Sequence, residues 1–178
     1  IRDSFYYYLQ RGKVKEQLNL AAQAQSDLER SVALLPTADA YNSLGNLAQK
    51  AGRLNDAKAY YAKVAGNQGE LGQQAYGALV DLDLKDNPGK YVSVRAGQDA
   101  QGRIVVQVSN PTPRHISGIV LIMQFQNETG QVQKLQRNLR GTVASGSQQL
   151  FDLGLTGKLT PVQLKTLQVR IAGAEVAR

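Results

Sequence analysis

A motif that returns after 35 residues constrains this chain more than any other feature. Ala40-Tyr41-x-x-Leu44-x-x-Leu47 recurs as Ala75-Tyr76-x-x-Leu79-x-x-Leu82. Apolar residues three apart share one face of a helix, so each copy predicts an amphipathic helix. Between the copies, Gly52 can take the positive φ that ends a helix, and Ala57, Tyr61 and Val64 then step by four and three along a second helix. Ala24, Leu28 and Ser31 show the same steps 33 residues earlier, with Pro36 closing their helix. Small Ala at 24 and 57 lets paired helices approach closely, while Leu28 and Tyr61 fill the space beside them. Such units cannot bury their apolar faces alone, so they stack.

The pattern stops at Lys85-Asp86-Asn87-Pro88-Gly89-Lys90, which no helix crosses. Charge changes there too. Ten Lys/Arg balance ten Asp/Glu before Pro88, whereas eleven face four from Pro88 onward, so the whole net charge of +7 lies in the second half. Residues 1–87 are therefore predicted as a helical domain and 88–178 as a basic β domain. In the second half, Val92 and Val94 alternate within 91–95, then Ile104, Val106 and Val108, then Ile119, Leu121, Met123 and Phe125. Asn127-Glu128-Thr129-Gly130 is a hairpin signal. The polar run 132–139 reads as an edge strand guarded by Lys134 and Arg137, and 148–153 and 165–171 complete the set. Six or seven short strands in about 90 residues predict an antiparallel sandwich. The fold class is thus α+β in two segregated parts.

Residues 38–67 resemble the tetratricopeptide repeat, a helix–turn–helix unit. Tyr41, Leu44, Gly45, Gly52, Ala57 and Tyr61 match its aromatic, Leu-Gly, turn, small and aromatic positions in order, while Ala48 and Val64 depart from it. Residues 4–36 are a degenerate copy that lacks the Leu-Gly pair, and 69–85 are a single capping helix in which Val80 replaces the Gly. Val106-x-Val108-Ser109-Asn110, the Gly130 hairpin and Gly146-Ser147-x-x-Leu150-Phe151 are similar to immunoglobulin-like FxLYD domains of bacterial envelope proteins. Phe5-Tyr6-Tyr7-Tyr8-Leu9-Gln10-Arg11-Gly12-Lys13, Leu34-Leu35-Pro36-Thr37 and Asp86-Asn87-Pro88-Gly89-Lys90 resemble the non-catalytic tails of periplasmic M48-type zinc peptidases. That resemblance implies a periplasmic or envelope location and a catalytic domain upstream of Ile1. The chain opens without Met or a signal pattern, as expected of a mature or excised form.

Composition excludes much chemistry. With no Cys and one His, His115, the chain has no thiolate zinc site, no Cys nucleophile and no site needing two imidazoles. No metal, no other cofactor and no catalytic residue is expected, and His115 reads as a surface residue. The longest apolar run, Gly118 to Met123, falls far short of the ~20 residues of a membrane span. The basic residues Arg95, Arg103, Arg114, Lys134, Arg137, Arg140, Lys158, Lys165 and Arg170 are scattered. They predict weak attraction to anionic envelope polymers or headgroups, without specific nucleic-acid recognition. Phe5 to Tyr8 are expected to split between the core and an exposed face.

Binding is the class that remains. In the tetratricopeptide resemblance the first helix of each repeat lines a concave surface and offers its polar side to a protein or peptide. Here that side is Asn42, Asn46, Gln49 and Lys50, with Gln74, Gly77 and Asp81 on the later helix and Lys13 and Gln17 on the earlier one. Amides can bond a peptide backbone in both directions, and Lys50 can take a carboxylate. The alternative is a merely solvated polar face. None of the four is expected to be needed for folding.

Overall fold

The computed structural model describes residues 2–155 and 159–178, which leaves Lys158 outside the described residues. Two compact units divide the chain, Ile1–Leu82 and Asp83–Arg178. Pro88 lies within the second, at the first position of a short helix. The α and β parts are segregated as the residue patterns require. Within the described residues, helices α1 (Arg2–Gln17), α2 (Ala21–Leu34), α3 (Ala38–Lys50), α4 (Leu54–Ala62) and α5 (Glu70–Asp83) come first.

The helical unit repeats itself in atomic detail at a shift of 33 residues. Gly52 ends α3 with φ +73°, and Asn19 ends α1 with φ +59°. Around Gly52 the amide of Arg53 donates to the carbonyl of Ala48 and that of Gly52 to Gln49 (2.9 and 3.0 Å). Around Asn19 the amide of Leu20 donates to Lys15 and that of Asn19 to Glu16 (2.9 and 3.1 Å). Both are the paired closing bonds that a left-handed residue permits, and Asn is the residue that best replaces Gly there. Thr37 caps the start of α3, its hydroxyl accepting from the amide of Ala40 at 3.3 Å.

Packing follows the same shift. Ala24, Leu28 and Ala57 are wholly buried and Tyr61 nearly so. Leu28 sits on Gly12 and Tyr61 on Gly45 so closely that a Cβ on either glycine would come within 2.8 and 2.7 Å of the facing side chain. Gly12 therefore keeps the glycine of the Leu-Gly pair that residues 4–36 were expected to lack; only the Leu is replaced, by Arg11. Leu9, Ala24, Leu28, Ala40, Leu44 and Leu47 form one core cluster, flanked by Val32, Tyr41 and Tyr60. At the positions 33 residues before Leu44 and Tyr60, α1 and α2 carry Arg11 and Asp27, an ion pair. Arg11 donates to Asp27, through Nε at 2.7 Å and also through Nη2, and Lys15 lies 2.8 Å away. Hydrogen bonds from Arg11, opposed by burial and reinforced by Lys15, hold the Asp27 carboxyl at about 2. The Arg11 guanidinium also faces the rings of Tyr7 and Tyr8 at 5.0 and 5.2 Å.

Among its described residues the second unit adds α6 (Pro88–Tyr91), α7 (Pro161–Lys165) and six strands: β1 (Ser93–Gln98), β2 (Ile104–Asn110), β3 (Ile116–Gln126), β4 (Val132–Asn138), β5 (Ser147–Asp152) and β6 (Gln168–Val176). They make two antiparallel three-stranded sheets, β1-β2-β5 and β4-β3-β6. β1 runs close to β6, leaving β4 and β5 as the outlying edges of the two sheets. Tyr91, expected in a strand, belongs to α6, because Pro88 at its start is pre-set for a helical turn. Its hydroxyl donates to the buried Asp83 at 2.7 Å, which also accepts from Asn87 and Lys90 (3.0 and 3.2 Å). Lys165, expected to start the last strand, ends α7. Thr160 and Gln163 cap that helix reciprocally, each accepting from the other's backbone amide.

In β3 the alternation slips. Ile116 and Ile119 are both buried although three apart, since Gly118 takes φ +58° and the pairing with β6 shifts between Ser117 and Leu121. Asn110 closes the end of β2. Wholly buried, it donates to the carbonyls of Arg114, Val143 and Ala144 (2.8, 3.1 and 3.0 Å) and accepts from the amide and hydroxyl of Thr112 (3.1 and 2.7 Å). The segment 110–113 is thus a hydrogen-bonded corner.

Candidate functional site

The four residues expected to meet a partner lie on α3 in three different environments. Asn42 is half-buried, one turn before Asn46. Asn46 and Gln49 converge on Tyr61, whose Oη lies 2.8 Å from Asn46 Oδ1 and 2.8 Å from Gln49 Oε1. A phenol has one proton, so it donates to one amide oxygen while the other side chain turns its NH2 to donate to Oη. Burial, with Glu16 adding, pushes the Tyr61 phenol above its ordinary value, which keeps that proton in place at neutral pH. Asn46 and Gln49 therefore help to seat the ring that packs on Gly45, which corrects the expectation that neither bears on the fold. Each amide still has hydrogen-bonding capacity beyond Tyr61.

Lys50 sits at the end of the row with Glu16 of α1, Nζ to Oε1 3.2 Å, and Lys13 reaches Asp39 at 3.4 Å. These exposed pairs tie α1 to α3 across their polar sides and leave the row close to neutral. Beside the Lys50–Glu16 pair a recess of about 180 Å³ opens, lined by Glu16, Asn19, Ala21, Leu47, Lys50 and Ala51. Its lining combines the apolar Ala21, Leu47 and Ala51 with both charges. Glu16 stands outside the residues expected on α1, Lys13 and Gln17, although the 33-residue shift relates it to Gln49. On α5, Gln74 is exposed and donates to Glu70 at 2.9 Å, Asp81 is exposed, and Gly77 is buried and offers no surface.

Phe5 and Tyr8 are half-buried while Tyr6 and Tyr7 are more than half exposed, so the aromatic run does split. Tyr6, Tyr7, Gln10, Arg11 and Val14 border a shallow hollow of about 420 Å³ on the outside of α1. His115 is exposed and its Nδ1 accepts from the amide of Ser145 at 3.2 Å; the Ser145 hydroxyl donates instead to the carbonyl of Thr112 at 2.9 Å. That serine is not directed at the imidazole, as an activated nucleophile must be. Lys134 pairs across from Gln124 and Arg137 from Leu121. Their odd spacing sends the two cations to opposite faces of β4, so they do not merge into one patch. Among the described residues no three His, Cys, Asp or Glu gather as a metal site, and no helix is long and apolar enough to cross a membrane.

No known family and no curated protein matches the sequence. Among solved structures, the chain is similar to the Salmonella enterica trimeric lipoprotein SadB at 12% identity and TM-score 0.32, over 94% of this chain and 93% of that one. It is also similar to Pseudomonas fluorescens alkylpurine DNA glycosylase AlkC, solved on DNA containing an abasic-site analogue. That overlap has 11% identity and TM-score 0.25, over 84% of this chain and 43% of that one. Neither overlap amounts to a shared fold, so the site rests on its own residues.

Proposed function

We propose that this chain is a non-catalytic interaction protein whose helical unit is a tetratricopeptide-like module that receives an extended protein segment along α3. The observation that carries the reading is the row Asn42, Asn46, Gln49 and Lys50, held on one side of a helix whose other side is locked into the core. Two amides pre-positioned by Tyr61 can bond a peptide backbone with little loss of side-chain entropy. The charges around them are already paired, which favours a segment of mixed or neutral character over an acidic tail. By its resemblance to envelope proteins, the module belongs in the periplasm or cell envelope, where its β unit spaces or docks it. The same reasoning makes it an accessory region when a zinc peptidase domain stands in the same polypeptide.

The test is capture from a bacterial envelope extract, comparing the wild type with an Asn42→Ala/Lys50→Ala double variant. Both residues lie outside the Tyr61 network, so melting should change by less than about 0.5 kcal/mol. A partner held by the wild type and lost by the variant supports the proposal. A partner retained equally by both, or captured by residues 88–178 alone, contradicts it. Capture whose affinity falls steeply with added salt on nucleic acid instead would favour the basic β unit as an unspecific polyanion binder.

A further inference from the structure

The two outlying strand edges are treated differently by the sequence. β4 carries Lys134 and Arg137, which discourage strand pairing, whereas β5 reads Ser-Gln-Gln-Leu-Phe-Asp with no cation and no Pro. Among the described residues only β2 pairs with β5. The register sets which backbone groups are left over. Ile104 lies opposite 153, and the amide of Leu153 donates to Ile104 at 3.0 Å. The alternation of a strand then turns the backbone groups of Phe151 and Gln149 toward β2, and those of Gln148, Leu150 and Asp152 toward the open edge. Leu150 is 62% exposed at the middle of that edge.

We infer that the β5 edge is a self-pairing surface, joining two copies of this chain through an antiparallel β5–β5 contact with its two-fold axis at Leu150. Residues opposite one another in an antiparallel pair must share a face, which leaves only registers centred on a residue. The register centred on Leu150 alone uses all three open residues: Leu150 meets Leu150 of the second copy, and Gln148 meets Asp152 twice. The two leucines then cover each other, each Gln can donate to an Asp carboxylate, and no like charges stand opposite. On the inner side Gln149 meets Phe151. An extended foreign peptide is the competing occupant, but the symmetric match of apolar to apolar and amide donor to acid acceptor favours a second copy. The contact is one short strand, well below the area of a stable dimer, so association is weak and concentration-dependent. With eleven Lys/Arg against four Asp/Glu from Pro88 onward, the two copies repel at long range, and added salt strengthens the dimer.

Sedimentation velocity on the whole chain from about 10 μM to about 1 mM reads this directly. The wild type should shift toward dimer with concentration, more so in salt. Leu150→Pro removes one open-edge donor without touching the β2 ladder, since Pro is tolerated where the N–H faces out. Leu150→Lys sets two like charges on the axis. Each should weaken dimerisation at least about tenfold while the sheet signal and melting are kept. If Leu150→Pro loses its sheet signal, Leu150→Lys decides. A wild type monomeric across the range, or dimers retained by the folded variants, overturns the inference.

Discussion

At Gly45 a methyl group would stand 2.7 Å from the Tyr61 ring, and the ring cannot swing away because its hydroxyl is held between Asn46 and Gln49. Gly45→Ala gains about 1 kcal/mol of helix propensity. The overpacking it forces costs typically 1–3 kcal/mol, so the expected net effect is destabilising. A denaturation midpoint above wild type would contradict the close approach. Tyr61→Phe keeps the packing and removes the shared proton, an expected loss of about 0.5–1.5 kcal/mol. Asp27 supplies a pH test. Its folded value is about 2 and an ordinary carboxyl sits near 4. Because the folded value is depressed, its contribution is complete above about pH 4 and is lost as pH falls toward 2. Melting temperature should therefore drop more steeply between about pH 4 and 2 in the wild type than in Asp27→Asn, which is already destabilised at neutral pH. Parallel acid limbs would show that the ion pair contributes nothing.

Elements differ in how far the residues announced them. The helices of 21–34, 38–50 and 54–62 were legible, since spacings of three and four and the turn at Gly52 are local signals. Arg11 hid the first repeat's glycine by standing where Leu was expected; its partner Asp27 lies 16 residues on, and nothing local marks the pair. The capping box of α7 is written in the sequence as Thr160-Pro161-x-Gln163, but the alternation of Leu167, Val169 and Ile171 beyond it is the stronger local signal. The slip at Gly118 is invisible to any count of period two. Of the candidate site, the row on α3 was legible, while the Tyr61 network joining two of its members needed the fold. Asn110 belongs to the same scale, since one side chain satisfies three carbonyls at a sheet corner. Asn110→Asp sets a carboxylate against those carbonyls, and a loss of about 3 kcal/mol or more is expected at neutral pH. Chemical denaturation checks it, and a loss under about 1 kcal/mol would mean that the corner is held by other contacts.

Over the whole molecule, the two units are chemically unlike: one of net charge +1, helical and periodic, the other of net charge +6 and built from short strands. Ala57→Arg forces a long charged group into a wholly buried position of α4 and should unfold the helical unit first. Strand amides of residues 104–110 and 116–126 should then persist in spectra recorded where the helical signal has gone; simultaneous loss would mean one cooperative body. The central claim, that α3 carries the recognition surface, is tested most directly by titrating the isotope-labelled chain with a peptide from whatever partner the envelope extract yields, while following backbone and side-chain amides. A recognition surface on α3 gives shifts concentrated at Asn42, Asn46, Gln49 and Lys50, extending to Glu16 across the recess. Shifts confined to residues 93–176, with the α3 row silent, would contradict it.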